Sequence, residues 1–380
     1  MDYILDFVDN LLENSTPEAP AWNIEQVIEK KEPHWNYIDG CMLKAIFDIY
    51  YARKNEKDNE KYFDFIKNYI DFYVNENGHI KGYKKEDYNC DNINEGKILF
   101  DLYKITGENK YKLAIEKLQD QLKTHPRISA GNFWHKQIYP NQVWLDGLYM
   151  VQPFYIEYET LFNNKKNYQD IFSQFENVQK VMIDEKTGLL YHGYDESKQM
   201  FWASDQTGLS PNFWTRSLGW YMMALVDTLE KMEDKESDYN QVLKKYLIST
   251  VDAVLKFQDS SKLFYQVPTH PDTWGNYLET SGSCAIAYSL LKGARLGYLS
   301  KEYFDKGKEI FNAVKELKLD KEKFVLKDIC LVAGLGGMPG KGDYKLRDGT
   351  VEYYLSEPKV ENDAKGVAPF LFAYSELLRS

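Results

Sequence analysis

The feature that most constrains the fold is a succession of long segments in which apolar residues recur at helical spacing. Ile4, Leu5, Val8 and Leu11 share one helix face near the start of the chain. The same spacing returns in NYIDGCMLKAIFDIYYARK, in KYFDFIKNYIDFYVNEN and in further segments as far as NDAKGVAPFLFAYSELL. This pattern predicts about twelve helices that follow one another in pairs, and hence an all-α fold.

The predicted helix pairs recur roughly every 50 to 70 residues, without a strict sequence repeat. A length of 380 residues would ordinarily suggest two domains, but a closed ring of helical hairpins can run this long as one. We therefore expect a single domain over residues 1–380, in which the last helix pairs with the first. One helix of each pair would line the ring, and the loops leading into these inner helices would gather at one end as the ligand site.

Charge and composition exclude several classes of function. The net charge of -11 argues against nucleic acid and anionic membranes as partners, because both require basic surfaces. No apolar run approaches the ~20 residues needed to span a bilayer. Four cysteines without a CxxC pair suggest reduced thiols, and six histidines without an HxH or HExxH pattern make a metal site improbable. The acidic, amphipathic start MDYILDFVDNLLENS predicts a cytoplasmic protein.

Aromatic residues are concentrated in the loops that lead into the predicted inner helices, here called leading loops. The chain holds thirty Tyr, twenty Phe and eight Trp, and flat rings of this kind suit stacking on a ligand as well as core packing. Every Trp except Trp22 lies in the YHGYDESKQMFWA segment or in or beside one of six leading loops: WNYID (35–39), YNCDNIN (88–94), WHKQIYPNQVWLD (134–146), SDQTGLSPNFWTRSLGW (204–220), TWGNYLETSGS (273–283) and DGTVEYYLSEPKVEND (348–363).

Asp146 is the candidate catalytic carboxyl. It lies in the first turn of a predicted helix, with Trp144 two residues before it and Gly147 directly after it. An indole on one side and a residue without a side chain on the other leave room for a substrate to approach, which suits an acid/base role. The alternative is structural, because the unpaired amides and the dipole at a helix start stabilise a negative charge.

Other candidates lie in the same set of loops. Arg216 and Trp220 are four residues apart and share one helix face, so a guanidinium and an indole could together bind a carboxylated sugar ring. The alternative is an Arg that covers core aromatics or pairs with an internal Glu. His135 and His192 are either ligand donors or structural histidines. Asp91 is either a helix N-cap, which its spacing favours, or a second carboxylate facing Asp146.

The glycine-rich segment LVAGLGGMPGKGDY (331–344) is not a phosphate-binding loop. Position 335 is Leu, and the residue after Lys341 is Gly. The motif therefore lacks a required glycine and the hydroxyl that would bind Mg²⁺. We interpret the segment as a flexible loop at the mouth of the ring.

Several motifs, in one order from about Trp35 to the C-terminus, carry a family resemblance: YNCDNIN, VWLDGLYM, FWTRSLGWY, ETSGSCAIAYSLLKGARLGYL and YYLSEPKVENDAKGVAPFLFA. In them the chain resembles glycoside hydrolase family 105, the unsaturated rhamnogalacturonyl hydrolases. The resemblance implies an (α/α)6 barrel, no cofactor, and Asp146 as general acid/base. It also implies a substrate site lined by Tyr37, Asp91, His135, Trp144, His192, Trp214, Arg216 and Trp220. The segments 267–276 and 331–344 follow the family pattern less closely.

The reaction that the resemblance implies needs only one carboxyl group. Polysaccharide lyases leave a 4,5-unsaturated uronic acid, a vinyl ether, at the non-reducing end of pectin fragments. Asp146 would protonate C4, and water would attack the cation at C5, after which the product opens and releases the neighbouring sugar. Burial against Trp144 and a nearby Asp91 would raise the pKa of Asp146, whereas Arg216 and the helix N-terminus would lower it, and we expect the effect of burial to be the larger.

Three other functions stay open at this point. The chain could be an unsaturated glucuronyl or other uronyl hydrolase that acts on a different polysaccharide. It could be a sugar epimerase on a similar helical toroid, with His135 and His192 as paired bases. It could also be a non-catalytic carbohydrate-binding protein, in which Asp146 is only structural.

Overall fold

The computed structural model describes residues 3–336 and 346–380. The predicted all-α class is confirmed. Within the described residues the chain forms fifteen α-helices: α1 (Tyr3–Glu13), α2 (Ile24–Glu29), α3 (Tyr37–Ala52), α4 (Glu60–Tyr73), α5 (Asp91–Asn94), α6 (Lys97–Thr106), α7 (Asn109–Thr124), α8 (Leu145–Phe162), α9 (Tyr168–Met182), α10 (Thr215–Lys231), α11 (Asp238–Leu255), α12 (Thr280–Arg295), α13 (Lys301–Leu317), α14 (Val351–Ser356) and α15 (Ala364–Leu378).

The inner helices form a closed ring. In order around it they are α3, the pair α5 and α6, α8, α10, α12 and α15, and α15 packs back against α3. Their side chains are buried on nearly all sides; in α12 every residue from Thr280 to Gly293 is buried. A helix that is buried all round must be covered by partners. The outer helices α4, α7, α9, α11 and α13 supply this cover, each packed on the inner helix that precedes it, so the expected (α/α)6 barrel is confirmed.

Side-chain contacts join the outer helices and the segments that follow them into a second ring, which α1 completes. The contacts are Asp9 with Lys61 (2.6 Å), Asp71 with Tyr111 (2.7 Å), Arg127 with Asp170 (2.6 Å), Gln169 with Tyr239 (2.5 Å), Asp252 with Tyr303, and Lys321 over the ring of Tyr3 (4.5 Å). The first helix therefore lies between α4 and the turn that joins β5 to β6. The predicted pairing of the first helix with the last stays a prediction, whereas α15 packs on α3.

Short antiparallel strand pairs brace the loops between the helices. The four pairs are β1 (Gln142–Trp144) with β2 (Gly193–Asp195), β3 (Phe264–Tyr265) with β4 (Leu278–Glu279), β5 (Leu319–Asp320) with β6 (Val325–Leu326), and β7 (Ile329–Cys330) with β8 (Lys359–Val360). Because β1 ends at Trp144 and β4 at Glu279, two inner helices, α8 and α12, start directly from a paired strand.

The second inner helix is broken, which the sequence pattern did not predict. Between α5 and α6 the amide of Gly96 donates to the carbonyl of Ile93 (3.0 Å), an i to i+3 bond that tightens the turn. The side chain of Glu95 points toward α3, and its carboxyl group accepts a hydrogen bond from the amide of Asn36 (2.8 Å). The turn also packs closely on α3, since a Cβ at Gly40 would lie 2.5 Å from the Cα of Glu95. The break makes α5 a separate single turn that begins with Asp91.

The glycine-rich segment is described only in part, because residues 337–344 of the expected flexible loop lie outside the described residues. Leu335, just before them, packs in a cluster with Trp144 and Trp202. The described start of the segment therefore lies beside Trp144, and the flexible loop stays a prediction. Among the described residues, no helix is long and apolar enough to cross a membrane.

Candidate active site

The candidate residues meet at the end of the barrel where the inner helices begin. Tyr37 and Asp91 are the first residues of α3 and α5, and Asp146 and Arg216 are the second residues of α8 and α10. The charge of Arg216 acts on the pKa of both Tyr37 and Asp146. The structure therefore brings together side chains from four leading loops at one mouth.

Asp146 faces a histidine. Trp144 is the N-cap residue of α8, and no side chain caps this helix. The Oδ2 atom of Asp146 lies 3.3 Å from Nε2 of His192, and its side chain is 15% exposed. This distance is short enough for an ion pair, although the two atoms are not aligned for a hydrogen bond. The carboxyl group is thus not engaged in capping and is partly open to the pocket.

The expected rise in the pKa of Asp146 is wrong for the free protein. Burial is the largest single effect and raises this pKa, but the contact with His192 and the electrostatic influence of His192, His135 and the Arg216 charge lower it below its usual value. Opposite charges nearby favour the ionised carboxylate. Asp146 is therefore ionised near neutral pH before a ligand binds.

His192 owes its orientation to a residue that the sequence interpretation did not single out. Its Nδ1 lies 2.8 Å from the hydroxyl of Tyr354, which is fully buried. Burial and then the charge of Asp146 raise the pKa of Tyr354 well above its usual value, so the hydroxyl keeps its proton. A neutral His192 that accepts this proton at Nδ1 carries its own on Nε2, toward Asp146. The only sequence signal was the position of Tyr354 in the sixth leading loop.

We expect Tyr354→Phe to lower kcat about tenfold, the cost of one buried hydrogen bond. The ring, which stacks on Trp214 at 6.2 Å, remains in the variant, while His192 becomes free to adopt the other tautomer. The pH profile of kcat should shift as well. Tyr221→Phe is the matched control, since Tyr221 is also buried and its hydroxyl contacts Gln179 at 2.9 Å on the outer side of the barrel. Unchanged kcat and pH profile in Tyr354→Phe would show that Tyr354 does not orient the histidine.

Asp91 is not a helix N-cap, so the interpretation that its spacing favoured is wrong. The cap position is Cys90, and the carboxylate of Asp91 lies 2.6 Å from Nζ of Lys136 and 3.5 Å from Nε2 of His135. Lys136 was not among the predicted residues, although it directly follows His135 in the chain. The ion pair of Asp91 with Lys136 joins the second and third leading loops and holds the Asp91 carboxylate beside the pocket.

Aromatic rings form the wall beside Asp146. The ring of His135 stacks on Trp144 at 4.4 Å and 19°, and Tyr139 stacks on Trp144 at 5.0 Å. Burial lowers the pKa of His135 to about 4, so this ring is neutral near pH 7. His135 and Trp144 therefore form a compact, uncharged aromatic wall beside the carboxyl group.

Arg216 is a buried cation that forms no ion pair with a carboxylate of the described residues. It is 2% exposed and donates to the carbonyl of Cys330 and to the hydroxyl of Ser281 (3.3 Å). The carboxylate of Glu279, whose charge acts on it, is bound instead by the amides of Ser281, Gly282 and Cys330. Within the described residues, Nε of Arg216 has no hydrogen-bond partner. A buried charge in this state favours an anionic ligand.

The indole beside the guanidinium is Trp214, whose ring lies 4.6 Å from the Cζ atom of Arg216. The predicted partner on the same helix face, Trp220, stacks instead on Tyr149 at 4.8 Å and belongs to the main hydrophobic core. Trp214 is held in place by a hydrogen bond from its Nε1 to Gln266 (3.0 Å). A substrate contact for Trp220 stays a prediction.

A cavity of about 300 Å³ opens beside Tyr37, Asp91 and Lys136. Its wall also carries five amide side chains, those of Asn23, Gln26, Asn36, Asn89 and Asn92. The lysine and the aspartate pair with each other at 2.6 Å, and the amide side chains make this part of the site rich in hydrogen-bonding groups. Such a lining suits a ligand with many hydroxyl groups.

Comparison with known proteins identifies the family. The sequence profile of Glycosyl Hydrolase Family 88 matches residues 14–380. A family 105 glycoside hydrolase of C. acetobutylicum is 44% identical, with 99% of each chain covered and a TM-score of 0.89. The chain belongs to glycoside hydrolase family 105. The resemblance inferred from its motifs is thereby confirmed.

Two further relatives of this family 105 chain are informative. The unsaturated rhamnogalacturonyl hydrolase YesR of Bacillus subtilis is 25% identical over 69% of this chain and 72% of its own length. A protein of Agrobacterium fabrum, Atu3128, is 39% identical over 60% of this chain and 97% of its own. The family 105 assignment makes the protein a glycoside hydrolase with a carbohydrate substrate.

Proposed function

We propose that this family 105 enzyme releases the 4,5-unsaturated galacturonyl residue from the non-reducing end of lyase-generated rhamnogalacturonan oligosaccharides. The observation that carries the proposal is the position of Asp146, beside His192 and within the field of the buried Arg216. A carboxyl group that is influenced by a buried cation, which has no ion-pair partner among the described residues, fits a reaction that protonates one carbon of an acidic sugar. Two carboxylates at the spacing of ordinary glycosidases are not required.

In the proposed mechanism, Arg216 binds the uronate carboxylate and the rings of Trp144 and Trp214 hold the sugar. Protonated Asp146 donates its proton to C4, and the double bond becomes an oxocarbenium-like cation at C5. Water adds to C5 and returns one proton to the Asp146 carboxylate. The hemiketal then opens at the ring oxygen, and the hemiacetal left at C1 releases the neighbouring sugar with its hydroxyl group. One acid serves both proton transfers.

Substrate binding must protonate Asp146, because the carboxyl group is ionised in the free protein. The substrate carboxylate offsets the charge of Arg216, which is one of the causes that lower the pKa of Asp146. Displacement of water adds to the effect of burial, which raises it. The pKa of Asp146 therefore rises on binding, and kcat should fall as pH rises through the pKa of the bound state.

This mechanism predicts the uptake of up to about one proton when a uronyl ligand binds near neutral pH. The measurement is titration calorimetry with a saturated uronyl disaccharide, which the enzyme cannot hydrate, in two buffers with different ionisation enthalpies. The control is Asp146→Asn, in which the uptake should disappear. Equal uptake in both proteins would assign the proton to another group, such as His135.

The overall reaction is tested with lyase-digested rhamnogalacturonan. We expect loss of the ultraviolet absorbance of the conjugated alkene, together with release of oligosaccharides that carry a new rhamnose end. An unchanged spectrum with a new stereoisomer would indicate an epimerase, and binding without any chemical change would indicate a carbohydrate-binding protein. Turnover confined to unsaturated glucuronyl substrates would move the proposal to a different polysaccharide. A cytoplasmic location is a further proposal, and cell fractionation tests it.

A further inference from the structure

Trp274 is the most exposed large apolar side chain of the described residues. It is 96% exposed, whereas the other exposed large apolar side chains reach at most 60%. The remaining seven tryptophans are buried or half-buried. An indole that is almost fully exposed contributes little to the core and offers both ring faces to a ligand.

The loop that carries Trp274 is held in shape by its own hydrogen bonds. It connects β3 with β4 and spans residues 266–277, closed at its base by the amide of Gln266 and the carbonyl of Tyr277 (2.8 Å). The side chain of Asn276 donates to the carbonyls of Val267 (3.0 Å) and His270 (2.8 Å). A loop fixed in this way presents its side chain without a large ordering cost when a ligand binds.

The base of this loop belongs to the candidate active site. Gln266 accepts the hydrogen bond from the indole of Trp214 at 3.0 Å. Tyr277 lies close enough to Arg216 for that charge to lower its pKa, although burial raises it well above its usual value. Tyr277 lies three positions after Trp274 in the chain, so their Cα atoms are at most about 11 Å apart. Trp274 therefore lies at the rim of the mouth, within one short peptide of the pocket wall.

We propose that Trp274 forms an outer subsite that stacks on a sugar ring of longer oligosaccharides, beyond the leaving sugar. The inference rests on the proposed function, in which the unsaturated end is bound at Asp146 and Arg216 and the rest of the oligosaccharide extends outward through the mouth. The apolar C–H face of a pyranose packs on an indole, while its hydroxyl groups stay in water. A neutral or an acidic ring can bind in this way, because the contact uses no charge.

The test compares chain lengths. Wild type, Trp274→Ala and Trp274→Phe are assayed on an unsaturated disaccharide and on an unsaturated tetrasaccharide of the same series. We expect Trp274→Ala to lower kcat/KM about tenfold on the tetrasaccharide, mainly through KM, and less than about twofold on the disaccharide. Trp274→Phe should restore most of the loss. The control is Tyr51→Ala, which removes a half-exposed aromatic about 21 Å along α3 from the mouth.

The outcomes separate the two proposals. If the wild type converts neither substrate, the proposed function fails. If the wild type converts both, and Trp274→Ala matches it at both lengths, only the outer subsite is refuted. An equal loss at both lengths also refutes it, because the residue would then act on the pocket itself. Sedimentation of wild type and Trp274→Ala adds a readout independent of activity: a dimer in the wild type alone would assign the indole to a second copy of the chain.

Discussion

Asp146→Asn is expected to lower kcat/KM on unsaturated rhamnogalacturonan oligosaccharides by about 10³-fold or more. General acid catalysis alone contributes 10² to 10⁴ in rate, and here the same group also accepts a proton from the attacking water. The amide cannot protonate C4, yet it keeps the size of the carboxyl group beside His192. Binding of a saturated uronyl disaccharide should persist, so the loss should fall on kcat. Steady-state kinetics and calorimetry on one preparation measure both quantities.

A matched variant separates catalysis from helix stabilisation. Asp238 lies in the first turn of α11, on the outside of the barrel, and is exposed. Asp238→Asn therefore removes a first-turn charge worth about 0.3–1 kcal/mol of stability without touching the pocket, and its activity should equal that of the wild type. If Asp146→Asn also kept full activity and lost only stability, Asp146 would be a structural residue.

Arg216→Gln should raise KM about 10²-fold and should do so only for substrates with a free carboxylate. Loss of one member of a buried charge pair costs roughly 2–5 kcal/mol, and 1.4 kcal/mol corresponds to a tenfold change. The measurement compares wild type and variant on an unsaturated uronyl substrate and on its methyl ester. The ester should be a poor substrate for the wild type and no worse for the variant, because the interaction is already absent.

The structural role of Arg216 needs a separate check, since its guanidinium also binds the carbonyl of Cys330 and the hydroxyl of Ser281. Circular dichroism and thermal unfolding of Arg216→Gln show whether the fold survives. Arg216→Lys keeps the positive charge but loses the planar, two-pronged guanidinium group. Its KM should lie between that of the wild type and that of Arg216→Gln. An equal penalty on acid and ester in both variants would mean that Arg216 supports the loops and does not bind the uronate.

The helices and the mouth were predictable because both follow from local sequence. Apolar spacing gave the paired helices, and the tryptophans in the leading loops pointed to one end of the barrel. Asp146 and Arg216 lie there because each is the second residue of an inner helix, directly after a leading loop. This position along the chain is visible in the sequence. The break at Gly96 escaped prediction because its cause is non-local: it depends on Glu95 reaching Asn36 in another loop.

The electrostatics of the site could not be read from the sequence. The contact of His192 with Tyr354 spans 162 positions of the chain, and no local pattern joins such residues. The pKa of Asp146 reverses the expected direction because three positive or polar neighbours act together, and only coordinates give their distances. The cap interpretation of Asp91 failed for a related reason, since Lys136 from the next leading loop binds its carboxylate at 2.6 Å.

The contact between Gly40 and Glu95 has a consequence for how such an enzyme could be altered. A side chain at position 40 would meet backbone at 2.5 Å, so α3 and the turn after α5 would have to separate. That turn directly follows the short helix that begins with Asp91, and the separation would move the carboxylate with it. Selection, or a protein engineer, can therefore change the width of the pocket from behind its wall while every substrate-facing side chain keeps its identity.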